Sequence, residues 1–358
     1  MAGGSRFLEA LGLAHPILLA PMAGSGTVEL CIAVSEAGGL GGLACAMLSP
    51  ARIEAQVAGI RERTPKPFNL NFFCHKPAEP NPDRDTAWKR RLEPYYRELG
   101  LDPDAAITAP ARAPFSTPHC ELVEKLRPAV VSFHFGLPEE GLLARVKAAG
   151  CKVLSSATTV AEARWLEAHG ADAVIAQGAE AGGHRGIFLS EDIESQAGTF
   201  ALVPQIVDAV GVPVIAAGGI ADARGIVAAL ALGASAVQIG TAYLFCPEAA
   251  VPAPHLRALR EARDDGTKLT NVFTGRPARS LFNRAVAEIG PMAQDAPGFP
   301  GAAPAWAPVR AIAESAGSGD FSPLWAGQAA ALGREMPAGE LTRKLAAEAL
   351  ALSKKLAE

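Results

Sequence analysis

Val212-Pro-Val-Ile-Ala-Ala-Gly-Gly-Ile-Ala-Asp222, continued through residues 223–232 and Gly233 to Ala236-Val-Gln-Ile-Gly-Thr241, decides how the rest of the chain is read. Residues 212–217 and 236–240 are apolar runs without polar alternation, the pattern of parallel strands covered on both faces. Each ends at a glycine. The Ala/Leu-rich stretch 223–232 between them reads as a helix opened by Asp222 and stopped by Gly233. No Asp, Glu, Lys or Arg stands between Arg224 and Glu248, a length sufficient to cross a bilayer. Gly225, Gly233, Ser235, Gln238, Gly240 and Thr241 interrupt it, so a buried helix–turn–strand unit is expected instead of a membrane span.

The same unit recurs outward from this stretch. Further strands are expected at residues 17–22, 40–46, 68–73, 130–135, 152–156 and 173–177. Helices are expected at 28–37, 139–149, 160–169 and 200–210. Gly38, Gly150 and Gly170 close three of these helices as Gly233 closes its own, where a left-handed residue is easiest for glycine. Eight strand–helix alternations point to an α/β fold, a (β/α)8 TIM barrel; an open doubly wound sheet is the alternative. The expected division is a barrel from 1–74 and 120–290, an insertion at 75–119, and a covering segment with C-terminal helices at 291–358. The insertion should hold a helix around 86–99 with Trp88, Tyr95 and Tyr96. The proline-rich stretch 291–323 reads as irregular, and Leu341, Leu345, Leu352 and Leu356 fall on one helical face.

Composition narrows the function classes. The 358 residues carry 33 basic and 37 acidic side chains, a net charge of −4, with 49% hydrophobic and 20% charged residues. That balance removes the electrostatic basis for binding nucleic acid, and Lys89-Arg90-Arg91 reads as a solvated helix face. The six cysteines are scattered without a CxxC pair or zinc-finger spacing, so buried free thiols and no metal are expected. The first residues lack the apolar core of a signal peptide, and the expected location is cytoplasmic, with no membrane partner.

In a parallel barrel, function gathers at the carboxyl ends of the strands. Gly218-Gly219 and Gly240-Thr241 end two successive strands just before helices, an arrangement suited to a phosphate; Asp222 should turn away to cap its helix. Neither segment has the GxGxxG of a dinucleotide fold or the lysine of a P-loop. The sharpest feature is Gln177-Gly-Ala-Glu-Ala-Gly-Gly-His-Arg-Gly186. Gly182 and Gly183 would let backbone approach a flat ligand, and His184 can move a proton or hold an anion near neutral pH. His134, flanked by Phe133 and Phe135, is the second catalytic candidate. His15, His119, His169 and His255 read as structural histidines, and Glu180 as an anchor of its loop.

These stretches, together with Ala20-Pro-Met22, Ala37-Gly-Gly-Leu-Gly41, Phe68-Asn-Leu-Asn-Phe-Phe-Cys-His-Lys-Pro77, Val131-Ser-Phe-His-Phe-Gly136, Ala216-Ala-Gly-Gly-Ile220, Phe273-Thr-Gly-Arg-Pro-Ala-Arg279 and Trp325-Ala-Gly-Gln328, carry a resemblance. The chain resembles the nitronate monooxygenases, formerly called 2-nitropropane dioxygenases, class I in particular. The resemblance implies an FMN-binding barrel that oxidises alkyl nitronates, such as propionate 3-nitronate, with O2 to carbonyl compounds and nitrite. It implies flavin contacts at Pro21, Met22, Asn71, Gln177, Gly182, Gly219, Gln238, Gly240 and Thr241, and an active-site histidine at His184. One departure stands out. Class I members commonly carry two tyrosines and a lysine, spaced four apart, over the active site; an ungapped reading places Phe299, Ala303 and Ala307 there. An FMN-dependent NAD(P)H:quinone or enoyl-ACP reductase on the same barrel is the alternative activity. The expected partners are a small nitronate and O2, and the expected state a monomer or homodimer.

Overall fold

The computed structural model describes residues 2–105 and 113–358. Residues 106–112 of the expected insertion lie outside the described residues. Eleven strands are described: β1 Ile17–Leu19, β2 Gly41–Ala44, β3 Phe68–Phe73, β4 Val130–His134, β5 Lys152–Ala157, β6 Ala173–Gln177, β7 Gly183–His184, β8 Val214–Ala217, β9 Ala236–Ile239, β10 Thr267–Thr270 and β11 Ala278–Leu281. Eight form one parallel sheet in the order β1-β9-β8-β6-β5-β4-β3-β2. Its two ends meet, because Leu18 bridges Leu40 in parallel and the Leu19 and Leu40 amides donate to Leu40 and Ile17 carbonyls. The sheet is thus a closed barrel with helices between the strands, and the open-sheet alternative falls.

Closure depends on a glycine run. A Cβ at Gly41 would lie 2.2 Å from the Cys31 carbonyl oxygen, and one at Gly42 would lie 2.7 Å from that of Leu19. Only hydrogen fits where these backbones meet, so the Gly-Gly-Leu-Gly-Gly run beginning at Gly38 is a packing requirement. The barrel interior holds Leu18, Leu40, Val130, Leu154, Ile175 and Ile215, which cluster with Phe7 and Leu11 of the first helix, Ala2–Leu11. Outward-facing strand residues such as Ile17, Leu19, Val174, Val214 and Val237 pack under the surrounding helices. Alternate side chains therefore fill two separate cores, as period-two strands require.

The charge-free stretch from Arg224 to Glu248 is a helix–turn–strand unit in which helix Ala223–Ala231, buried on one face through Ala223, Ile226 and Ala229, leads into β9. Among the described residues no helix is long and apolar enough to cross a membrane. Gly38, Gly150, Gly170 and Gly233 all take positive φ where their helices stop. The insertion helix runs Pro82–Glu98, with Trp88, Leu92, Tyr95 and Tyr96 buried.

Two features differ from expectation. Strands β10 and β11 are not barrel staves; with β7 they make a separate antiparallel sheet in the order β10-β11-β7. The stretch 291–323 is not wholly irregular, since it contains the helix Ala303–Ser315. Pro304 sits in that helix's first turn, where a missing N–H costs nothing. Its inward face, Ala305, Trp306, Val309 and Ala313, joins a satellite core with Trp88, Tyr96, Val272 and Phe273. Trp306 Nε1 donates to the Val272 carbonyl (2.7 Å) and Tyr96 Oη to that of Ala305 (2.6 Å). Packing of this kind outweighs the weak helix propensity of a proline-rich sequence.

Candidate functional site

One cavity of about 300 Å³ opens at the carboxyl ends of the barrel strands. Pro21, Met22, Asn71, His134, Gln177, Gly182, Gly183, His184, Gly218, Gly219, Gln238, Gly240 and Thr241 all line it, so the structure brings every sequence-predicted site residue together. The size lies at the lower end of the range for small-molecule sites.

The glycine turns shape one side. Gly218 and Gly219 take φ of 112° and 69°, a left-handed conformation that other residues resist, and they carry the chain from β8 toward the next helix. Asp222 does turn away: its side chain accepts from the Arg224 and Gly225 amides at the start of helix Ala223–Ala231 and pairs with the Arg224 guanidinium. Its carboxylate is therefore spent on the cap. Gly182 approaches the backbone so closely that a Cβ there would lie 2.5 Å from the Gly327 amide nitrogen.

His184 is presented by an unusual route. The loop after β6 crosses to the second sheet, where His184 pairs with Ala278. Arg185, fully buried, ties the loop down by donating to the carbonyls of Gly178 (2.6 Å) and Gln177 (2.8 Å) and to Gln196 Oε1 (3.1 Å). Glu180 anchors the other side by accepting from the amide and hydroxyl of Thr199 (2.8 Å each). Gln177 spans the loop's ends: its Nε2 donates to the His184 carbonyl (2.9 Å), and its Oε1 accepts from the Gly186 amide (2.7 Å).

His134 lies beneath. Its Nδ1 meets Ser156 Oγ at 2.9 Å and its Nε2 meets the His184 carbonyl at 3.2 Å. Burial, with the Arg276 guanidinium adding to it, pushes the imidazole down to about 3, so the ring is neutral at physiological pH. The neutral ring has one N–H, and the carbonyl can only accept, so Nε2 carries the proton.

The His184 ring itself has a partner that sequence reasoning missed. Its Nε2 lies 3.0 Å from Thr274 Oγ1, and Thr274 lies between β10 and β11 in the quoted Phe273–Arg279 motif. The motif was the available signal, although nothing in it marks the threonine as a neighbour of His184. Aromatic rings wall the imidazole: Phe299 at 5.2 Å, Trp325 at 5.3 Å, Phe135 at 6.1 Å and Phe73 at 6.3 Å between centroids. Phe299, the residue set against a lid tyrosine by the resemblance, thus packs on the His184 ring. Ala303 and Ala307 line an adjoining cavity of about 1150 Å³, which shares Met47, Arg310, Glu314 and Pro323 with the first. Among the described residues no cluster of His, Cys, Asp and Glu could hold a metal ion.

Comparison with known proteins fits this geometry. The family profile described as nitronate monooxygenase matches residues 5–348. A nitronate monooxygenase of Pseudomonas aeruginosa is 44% identical over 96% of this chain and 98% of its own. One of Paraburkholderia phytofirmans is 40% identical over 97% of this chain and 95% of its own. Among solved structures, nitroalkane oxidase from Streptomyces ansochromogenes superposes with a TM-score of 0.87 at 40% identity, covering 96% of this chain and 98% of that one. FabK from Thermotoga maritima gives 0.74 at 29% identity, covering 98% of both chains.

Proposed function

The chain belongs to the nitronate monooxygenase family, and from that premise we propose that His184 holds the nitronate for FMN-dependent oxidation by O2 to a carbonyl compound and nitrite. The observation that carries this reading is His184, held at its ring by Thr274 and by the Phe299 ring and facing a cavity that Phe73 and Trp325 also line. FMN, when bound, supplies the electron acceptance that no side chain here can provide. The residues present fit it. The glycine turns at Gly218-Gly219 and Gly240-Thr241 offer backbone to a phosphate with the Asp222 carboxylate turned aside. A Cβ at Gly183 would meet no atom within 4 Å, so the wall leaves room for a flat ring there. Pro21, Met22, Asn71, Gln177, Gly182 and Gln238 are the further groups proposed to hold the flavin.

His184 binds the anionic nitro oxygens and, where a neutral nitroalkane is used, takes its α-proton. Thr274 fixes the ring on one side, and the doubly held His184 carbonyl fixes its backbone on the other. His134 then acts by position: both its nitrogens are bonded and its ring stays neutral, so it is not a second acid–base group. Phe73, Phe135, Phe299 and Trp325 exclude water, which strengthens the hydrogen bonds His184 makes to a charged substrate.

The reductase alternative loses ground because the nitronate monooxygenases are 40–44% identical and the FabK neighbour 29%. The test is oxygen uptake and nitrite release by the FMN-loaded protein given ethyl nitronate or propionate 3-nitronate. His184→Ala should lose most turnover, about a hundredfold or more, while keeping its flavin absorbance. Undiminished turnover in that variant removes His184 from the reaction.

A further inference from the structure

His255 lies on the helix Ala253–Arg260, is 6% exposed and lines the same cavity as His184. The Trp325 backbone carbonyl lies beside its ring as an acceptor, whereas Nε2 has no partner among the described residues. Burial pushes the imidazole down to about 4, so the ring is neutral near pH 7. A neutral ring has one N–H, which the carbonyl takes; Nε2 is left as a bare lone pair, an acceptor awaiting a donor. A buried polar atom in this state is costly unless something binds it.

Arg310, Glu314 and Ser322 line the cavity beside it. Arg310 Nε donates to Glu314 Oε1 at 2.7 Å, and Ser322 Oγ donates to the same oxygen at 2.7 Å. The guanidinium charge is therefore balanced within the lobe, and its two Nη groups are the donors available to a ligand. Arg310 stands three residues beyond Ala307, one turn along the same helix, but its pairing with Glu314 denies the lobe a net positive charge. Trp325 separates the lobe from the reacting position: its ring lies 5.3 Å from that of His184, tilted by 54°, while its carbonyl lies beside His255.

We propose that His255 and Arg310 form a subsite for the tail of the nitronate substrate, and that it selects an uncharged hydroxyl over a carboxylate. A hydroxyl donates to His255 Nε2 and accepts from an Arg310 Nη, satisfying both. A carboxylate has no proton for the imidazole lone pair and meets the Glu314 carboxylate beside it. A site built to pair a polar group discriminates strongly against ligands that leave its own groups unpaired. The inference rests on the nitronate reading above, and its test separates the two.

The FMN-loaded protein is assayed with the nitronates of nitroethane, 3-nitropropan-1-ol and 3-nitropropanoate. Affinities of the un-ionised nitro alcohol and of nitropropanoate are measured by ligand-observed NMR without turnover. The alcohol should exceed the carboxylate about tenfold or more in both kcat/KM and affinity, as one well-placed hydrogen bond allows. His255→Phe and Arg310→Met should each pull the alcohol-to-ethyl kcat/KM ratio, and the alcohol's affinity, toward the tail-free reference. Equal handling of the two tails, preference for the carboxylate, or variants that leave ratio and affinity unchanged would overturn the subsite. Should His255→Phe not fold, Arg310→Met, on a half-exposed side chain, decides the same question. No turnover of ethyl nitronate would count against the nitronate reading, and the NMR affinities would still decide the subsite.

Discussion

Thr274 and His134 approach His184 from opposite sides, one at the ring and one at the backbone carbonyl. On the proposed reading both act by holding His184, so their loss should loosen the histidine without emptying the cavity. Thr274→Val should lower kcat roughly tenfold, the worth of one hydrogen bond, with flavin content unchanged; an unaltered kcat would show that the ring needs no such partner. The two neutral histidines also set a pH dependence. His134 and His255 are pushed down to about 3 and about 4, below the ordinary value near 6.5. Below about 6.5 the unfolded chain takes up protons that the folded chain refuses, so their contribution is complete above that pH and is lost as pH falls toward the folded values. Urea midpoints should therefore decline from pH 7 to pH 5, and His134→Gln should flatten the decline. A midpoint as high at pH 5 as at pH 7 would contradict the neutral assignment. Much of this site was legible in the sequence, because its glycines and His184 cluster at strand ends. Thr274 and His255 were not: one reaches the site only through a second sheet, and the other sits on a helix far along the chain, where a lone histidine reads as structural.

Among the elements, the eight barrel strands could be read because burial on both faces leaves an unbroken apolar signature. Strands β10 and β11 escaped, since Thr267-Lys-Leu-Thr270 and Ala278-Arg-Ser-Leu281 are short and mixed, and only pairing with each other and β7 makes them strands. The helix Ala303–Ser315 was hidden by its prolines; its reason for existing is the tryptophan-lined face it buries. The final helix, Ala338–Ala357, buries Leu341 and Leu345 against the helices at Val28–Glu36 and Ala223–Ala231, whereas Leu356 is exposed. Its leucine stripe is thus only half a packing signal. The barrel seam offers a matched test of glycine. Gly41→Ala forces a Cβ to 2.2 Å from the Cys31 carbonyl and should leave little soluble protein. Gly59→Ala, inside the helix Pro50–Arg61 with nothing within 4 Å, should raise stability by about 0.5–1 kcal/mol. Soluble yields and urea midpoints of the two variants check both signs.

At the scale of the whole molecule, the cavity joins the ends of nearly every stave, from Pro21 and Met22 after β1 to Gly240 and Thr241 after β9. A ligand seated there binds the closed barrel and not the open chain, so FMN should stabilise the fold by mass action. Protein stripped of flavin should melt lower than the loaded form, and each tenfold rise in free FMN above its Kd should add about 1.4 kcal/mol. A melting temperature indifferent to FMN would place the flavin elsewhere. The seam has a further consequence, for synthesis on the ribosome. Ile17 pairs with Val237, so the first stave takes its main partner from a segment made 220 residues later. At roughly 5–20 residues per second, that interval is about 10–40 s. Throughout it, one edge of β1 is bare, with only the Leu18–Leu40 bridge on its other side. The nascent protein is an unclosed cylinder, open to any strand that arrives first, and chaperones have that interval in which to guard it.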